Sequence, residues 1–331
     1  MGVVTKNNVW GAWLCVALLL IASTPARAQA DDYPARPITL LVPFAAGGSS
    51  DVVMRLVSKR VSESLKQTIV IDNRPGGAGN VAALAIKNAP KDGYTLMMGH
   101  TGTHAINATL YPDLKFDPVK DFTPITPLIS FNNILIVNAE SAAKSAKALV
   151  ALAKTKPDGL TYASQGVGSS GHITGEQFKQ ATGTNILHIP YKGAAPAIQD
   201  LLGGQVSMLF DVVPFALSNI RAGKVRALAI ATPQRVAVLP DVPTMAEAGV
   251  PGMEGGAWFA LYAPAGTPKH IIEFINREAN QILGTPEFRG RMAAQGVDVP
   301  LGSPQDLRAF VQERTETWSR VAKKANIKLE Q

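Results

Sequence analysis

Three groups of residues have types and spacings that suggest chemistry. Gly166-Val-Gly-Ser-Ser-Gly171 has the spacing of a dinucleotide-binding turn, and Ser169, Ser170 and His172 put hydroxyls beside an imidazole. His100-Thr-Gly-Thr-His104 has the i,i+4 histidine spacing that suits zinc on a helix. A nucleotide turn also needs an acid about 20 residues on to hold the ribose, and Ile186–Lys192 contains none. That leaves a loop for a smaller anion, or a plain turn. A serine hydrolase needs the GxSxG elbow, which neither Gly48-Ser-Ser-Asp51 nor Gly168-Ser-Ser-Gly171 has, and adjacent residues rarely face each other, so capping of a helix by serine is the expected role of the Ser169/Ser170 pair. Gly99, Gly102 and the two threonines make 100–104 read as a loop, and no third metal ligand stands nearby in sequence.

Two further positions stay open. Asn73-Arg-Pro-Gly-Gly-Ala-Gly-Asn80 reads as a structural turn before a helix over Val81–Lys87, or as another set of backbone N–H donors beside the first Gly/Ser loop. Asp211, at the end of a strand over Val206–Phe210, either caps a local turn or accepts from a ligand ammonium or a water.

Those residues must be carried by a folded chain. Its 331 residues are 46% apolar and 17% charged, too hydrophobic for a disordered protein and long enough for two domains. Short β-branched runs at Ile38–Val42, Thr68–Ile71, Tyr94–Met98, Asn133–Val137, Thr161–Ala163, Ile186–Ile189, Val206–Phe210 and Arg226–Ile230 alternate with helical stretches such as Asp51–Leu65 and Thr174–Thr182. Alternation of this kind predicts an α/β architecture with mostly parallel strands, and Lys269–Ile282, Pro286–Gln295 and Pro304–Ala325 read as helices. A strand, a Gly/Ser loop and a helix start occur twice, at Ile38–Asp51 and Leu160–His172. Each repeat aims a helix N-terminus, equivalent to roughly half a positive charge, past the carboxyl end of a strand, where an anion is favoured. Two lobes sharing one cleft are the expected arrangement.

The N-terminus reads as a secretory signal peptide over residues 1–30: Lys6, the apolar run Leu14–Ala22, then small residues, with cleavage expected after Ala28 or Ala30. An apolar run of nine residues is too short for a membrane span, which takes about 20. Removing the segment takes Lys6, Arg27 and the sole cysteine, Cys15, and lowers the net charge from +7 to +5. A thiol-free, mildly basic periplasmic protein is therefore expected. The only dense basic stretch, Arg314–Lys328, reads as a solvated helix face, and no concentrated stripe suggests nucleic acid.

The ordered set Tyr33-Pro-Ala-Arg-Pro-Ile38, Val42-Pro-Phe-Ala-Ala-Gly-Gly-Ser-Ser-Asp51, Asp72–Asn80, Ser164–His172, Ile189-Pro-Tyr-Lys-Gly193, Asp200–Gln205, Leu239–Gly249 and Ala263–Pro268 resembles the Bug-type extracytoplasmic solute receptors. These are the substrate-binding subunits of tripartite tricarboxylate transporters. The resemblance implies a two-lobed periplasmic binding protein of type II that closes on a carboxylate, uses no cofactor or metal, and delivers its ligand to small and large integral-membrane permease subunits. It departs at Ala45, where the family often has proline. Carried over by position, Phe44, Ala46, Gly47, Gly48, Ser49 and Asp51 would form the first-lobe loop, with Phe44 a wall against the ligand's carbon skeleton. Thr101, Thr103 and His104 would line the cleft, while Ser164, Gly168, Ser169, Ser170, Tyr191 and Asp211 would close it from the second lobe. The expected lobes are 31–130 with 233–331, and 131–232, in a monomer. The alternatives are a sensory receptor with the same lobes, or a carboxylate-acting enzyme with His104 or His172 as base.

Overall fold

A computed structural model describes residues 1–2, 33–46, 49–156, 159–191, 193–253 and 255–324. The expected signal peptide with Cys15, and Gly47 and Gly48 of the first loop, lie outside the described residues, as does the Ser49 side chain. The chain divides into two compact units, Met1–Ala35 and Arg36–Gln331, and among the described residues every strand and helix belongs to the second.

Its strands form one sheet in the order β2-β1-β3-β9-β4-β7-β5-β6, with β8 also on β4. The first half holds β1 (Ile38–Val42), β2 (Ile69–Asn73), β3 (Thr95–His100) and β9 (Gly256–Pro264). The second holds β5 (Thr161–Ser164), β6 (Leu187–Pro190), β7 (Met208–Val212) and β8 (Val225–Ile230). β1 pairs in parallel with β2 and β3, and β5 with β6 and β7; the apolar, largely buried runs of β1 and β7 suit strands covered on both faces, while β2 and β6 are edge strands.

One long strand, β4 (Phe122–Asn138), joins the halves. Phe122–Asn132 pairs with β9, and from Asn133 the strand turns to β7 and β8. The return falls at Gly255–Gly256, since Gly255 O accepts from Asn133 N. The proline-rich run after β8 folds back, with Thr244 bridged to Ile230, and buries Leu239, Met245, Val250 and Met253 in the second half.

Helices cover both faces of each half. In the first half α1 (Ser49–Leu65) and α8 (Lys269–Leu283) cover one face, where Met54, Val57 and Ile275 meet Leu40, Leu96 and Leu261. α2 (Asn80–Lys87), α3 (Asn107–Leu110) and α10 (Pro304–Lys324) cover the other, around Trp258, Tyr262 and Trp318. The spacing Leu307, Val311, Trp318, Ala322 gives α10 its single apolar stripe. In the second half α4 (Ala146–Thr155) and α5 (Ser170–Thr182) lie over Leu135 and Phe210, while α6 (Ala194–Leu202) and α7 (Val213–Arg221) lie over Ile134 and Leu209. α9 (Pro286–Ala293) follows α8.

Candidate functional site

The first-half loop leaves β1 at Pro43 and enters α1 at Ser49. Asn73, the last residue of β2, ties it down: its Nδ2 donates to Phe44 O and to Asp51 Oδ1, both at 2.9 Å. Asp51 is buried and also accepts from Arg55 Nε at 2.8 Å, one turn on. Its carboxylate is therefore spent on holding the loop. Phe44 is partly exposed, with its ring 5.0 Å from His100 and 6.0 Å from Phe259. Phe259 continues to Phe131 at 5.1 Å and Phe131 to Phe215 at 6.3 Å. An aromatic row thus runs from the first loop, across the joining strands, to α7 of the other half. Ala46 is exposed beside it.

The Asn73–Asn80 segment does sit beside this loop. Gly79, at φ 93°, approaches so closely that an added Cβ would stand 2.6 Å from His100 Nε2 and 3.3 Å from Pro43. Only glycine fits both that angle and that gap.

The 100–104 stretch, expected as a loop, is not one: His100 ends β3 and Gly102–Ile106 forms a π-helical turn running into α3. That turn draws Thr103 and His104 wholly inside. Thr103 Oγ1 lies 2.8 Å from His104 Nδ1, and the His104 ring stacks on Tyr262 at 3.8 Å and packs against Phe122 at 4.8 Å. Neither presents to a cleft, contrary to expectation. Burial holds the His104 imidazole well below its usual range, so it is neutral. Thr101 is likewise buried, its Oγ1 accepting from Trp258 N at 3.0 Å.

Sequence reasoning gave His100 no place in the cleft. Gly102 N donates to its Nδ1 at 3.0 Å, which leaves the proton on Nε2, and that atom is buried without a partner. Burial lowers its pKa to about 4, so it is a neutral donor between Phe44 and Gly79. Its only sequence signal was the unused i,i+4 pairing with His104.

In the second half, Ser169, one of the two serines expected to cap a helix, caps α5 by accepting from His172 N at 3.2 Å, and stays partly exposed. Ser170 and Gly171 open the helix, and their amides have no intrahelical partner. The other second-half residues are already engaged. Ser164 is buried with Oγ 2.8 Å from His188 Nε2, Gly168 N donates to His172 Nδ1 at 3.1 Å, and Ser170 Oγ donates to Asn133 Oδ1 at 3.1 Å. The Tyr191 phenol donates to Asp200 Oδ2 at 2.6 Å. Asp211 takes the local-cap role, Oδ1 accepting from Val212 N at 2.8 Å and Gln165 Nε2 at 2.9 Å. Burial raises its pKa to about 7, above the usual carboxylate range. Gln165 is a second residue not anticipated, and it braces the loop against β7.

The second-half loop reaches the first half: a Cβ on Gly168 would stand 3.1 Å from Leu110 Cδ1 and 3.8 Å from Ile106 Cγ2. Elsewhere, a cavity of about 340 Å³ lies between the joining strands and α10, lined by Ser130, Asn132, Gly256, Trp258, Phe310 and Trp318. None of the anticipated site residues lines it. Among the described residues no group of histidine, cysteine and carboxylates could hold a metal ion, and no helix is long and apolar enough to cross a membrane.

A sequence model described as the tripartite tricarboxylate transporter family receptor matches residues 53–327. The chain belongs to that receptor family. Solved structures agree. The receptor is 39% identical to Rpa4515 of R. palustris with adipate, over 90% of this chain and 99% of that one, with a TM-score of 0.84. It is 36% identical to MatC of Rhodopseudomonas palustris with bound malate, over 87% and 99%, with a TM-score of 0.79. The periplasmic binding protein BugD is 34% identical over 90% and 100%, with a TM-score of 0.80. The receptor therefore has the two-lobed binding-protein fold, and its family captures solutes.

Proposed function

We propose that this receptor captures a small aliphatic dicarboxylate, of malate to adipate size, in the periplasm and passes it to membrane permease subunits without altering it. One observation carries the reading. Two Gly/Ser loops each lead from a parallel strand into a helix N-terminus, the second of them reaching Ile106 and Leu110 of the first half, and a carboxylate beside each is already engaged, Asp51 by Arg55 and Asn73, and Asp211 by Gln165 and Val212. Helix dipoles and amides then face the gap with no free negative charge beside them, which suits an incoming anion. Ser169 and the first amides of α5 supply neutral donors from one side, and His100 and the Phe44 ring serve from the other. A hydrogen bond to a charged carboxylate contributes roughly 1.5–3 kcal/mol, so a few of them suffice.

The adipate and malate of the two solved relatives support the choice of a dicarboxylate. The position of the histidines supports binding over catalysis: His104 is locked in the core and the Nδ1 of His172 is already bonded to Gly168. In this reading the lobes are 36–132 with 256–324, and 133–255, and closure bends the chain where β4 changes partners and at Gly255–Gly256.

A melting screen of the chain from residue 31 against adipate, malate, benzoate and aspartate tests it. A ligand at 100 times its dissociation constant adds about 2.7 kcal/mol, a rise of several degrees. The expected result is a rise with a dicarboxylate and its recovery unchanged. No rise with any carboxylate, or conversion of the compound, overturns the reading.

A further inference from the structure

The second-half loop is held by a stack of rings. His172 of α5 and His188 of β6 lie parallel, centroids 4.0 Å apart and planes 10° apart, and Tyr162 of β5 stacks on the far side of His188 at 4.7 Å. Each imidazole holds a different part of the loop. His188 Nε2 is 2.8 Å from Ser164 Oγ, which in turn accepts from Gly166 N at 3.2 Å. Across the stack, His172 Nδ1 accepts from Gly168 N at 3.1 Å. The far end is anchored by Tyr162, whose hydroxyl donates to Glu176 Oε1 at 2.7 Å, and Lys179 Nζ is 2.8 Å from the same oxygen.

We propose that His172 and His188 are positioning residues, a neutral strut that fixes Gly166–Ser169 so that the first amides of α5 face the bound carboxylate. This rests on reading that loop as ligand-holding. Accepting from Gly168 N requires Nδ1 of His172 to be bare, which places its proton on Nε2. A second proton would land on Nδ1, facing an N–H, and the loop would lose its tie. Two imidazolium rings at 4.0 Å would also repel. The charged groups facing the pair are Glu176 and Lys179, both on α5; β5 brings Tyr162 and Ser164. Burial lowers the pKa of His172 to about 4 and that of His188 to about 3, which agrees with a strut that works uncharged.

The test follows the Gly168 amide by hydrogen exchange in the whole chain from residue 31, beside calorimetry with adipate and malate. In the unaltered protein, Gly168 protection should hold from about pH 7 to about pH 5 and fall towards pH 4, the value for His172. His172→Phe keeps a ring in the stack but has no acceptor, and should speed Gly168 exchange about tenfold. His172→Asn offers an amide oxygen at the same place and should restore protection and remove its dependence on pH. If either dicarboxylate binds, its affinity should fall about tenfold in His172→Phe and recover in His172→Asn. Protection that is independent of pH in the unaltered protein, or lost equally in both variants, overturns the strut, as does undiminished binding in His172→Phe. Protection behaving as expected while no carboxylate binds retains the strut's hold on the loop and overturns the proposed function instead.

Discussion

The two Gly/Ser loops are held in place by different materials. The first is cemented by charge: Asp51, Arg55 and Asn73 hold it through an ion pair and two side-chain bonds, and Gly79 with Pro43 packs its base. The second is held by neutral groups, two stacked imidazoles, two serines and Gln165. Both arrangements leave a helix N-terminus without an uncompensated anion in front of it. They differ in what disturbs them: above the carboxylate range the first is indifferent to pH, whereas the second depends on histidines staying uncharged.

The largest expected effect separates the loops by packing. A methyl at Gly171 would strike the Phe210 carbonyl, which is backbone in β7 and cannot yield, with Gln165 Oε1 at 2.6 Å. Gly171→Ala should cost about 3 kcal/mol and lower the melting temperature by several degrees. Gly79→Ala meets only side chains, His100 and Thr103, but strains a φ of 93°, and should cost about 2 kcal/mol. A first-loop variant more damaging than the second would break the comparison. Next, Asn73→Ala removes the bonds to Phe44 O and Asp51 and should cost about 2 kcal/mol, read by denaturant unfolding at neutral pH.

Smaller effects concern pH. The pKa values of His172 and His188 are lowered in the fold, to about 4 and about 3, so the unfolded chain binds more protons below its own value of about 6.5. Their contribution is complete above that value and is lost as pH falls towards 4 and 3. His188→Phe should make unfolding less sensitive to acid in that window, and an unchanged profile would remove the second loop as its source. Asp211 has the opposite sign. Its pKa is raised to about 7, so the folded chain keeps a proton that the unfolded chain releases, and stability declines as pH rises from about 4 through about 7. Asp211→Asn retains the acceptor for Val212 and Gln165 and should flatten that decline.

Much of this was legible in the residues. Ile38–Val42 reads as a strand and is one, residue for residue, because a parallel strand covered on both faces shows an unbroken apolar run. A serine cap from the Ser169/Ser170 pair was also plain, and the structure settles on Ser169, whose hydroxyl and target amide are three residues apart. The first part of β4 was not, because Pro124 and Pro127 interrupt it where it bulges against β9, and only Asn133–Val137 carried the expected pattern. β9 was missed as well; Gly256-Ala-Trp-Phe-Ala-Leu-Tyr-Ala-Pro264 contains no β-branched residue, and antiparallel pairing on both sides holds it in place. His104 was misplaced because a π-helical turn cannot be told from a Gly/Thr loop by composition. His188 stood alone in sequence, and only the parallel pairing of β5 with β6 brings it beside Ser164 and His172.

The central claim, that a carboxylate is held between the two loops, is tested most directly by calorimetric titration of adipate and malate into the chain from residue 31 and into Ser169→Ala and Phe44→Ala. The account predicts saturable binding of at least one of them and affinity about tenfold lower in Ser169→Ala, with stability lowered by only about 1 kcal/mol through loss of the cap. Phe44→Ala should weaken binding as well, by removing the apolar wall. Binding of neither compound, or equal affinity in all three proteins, would contradict it.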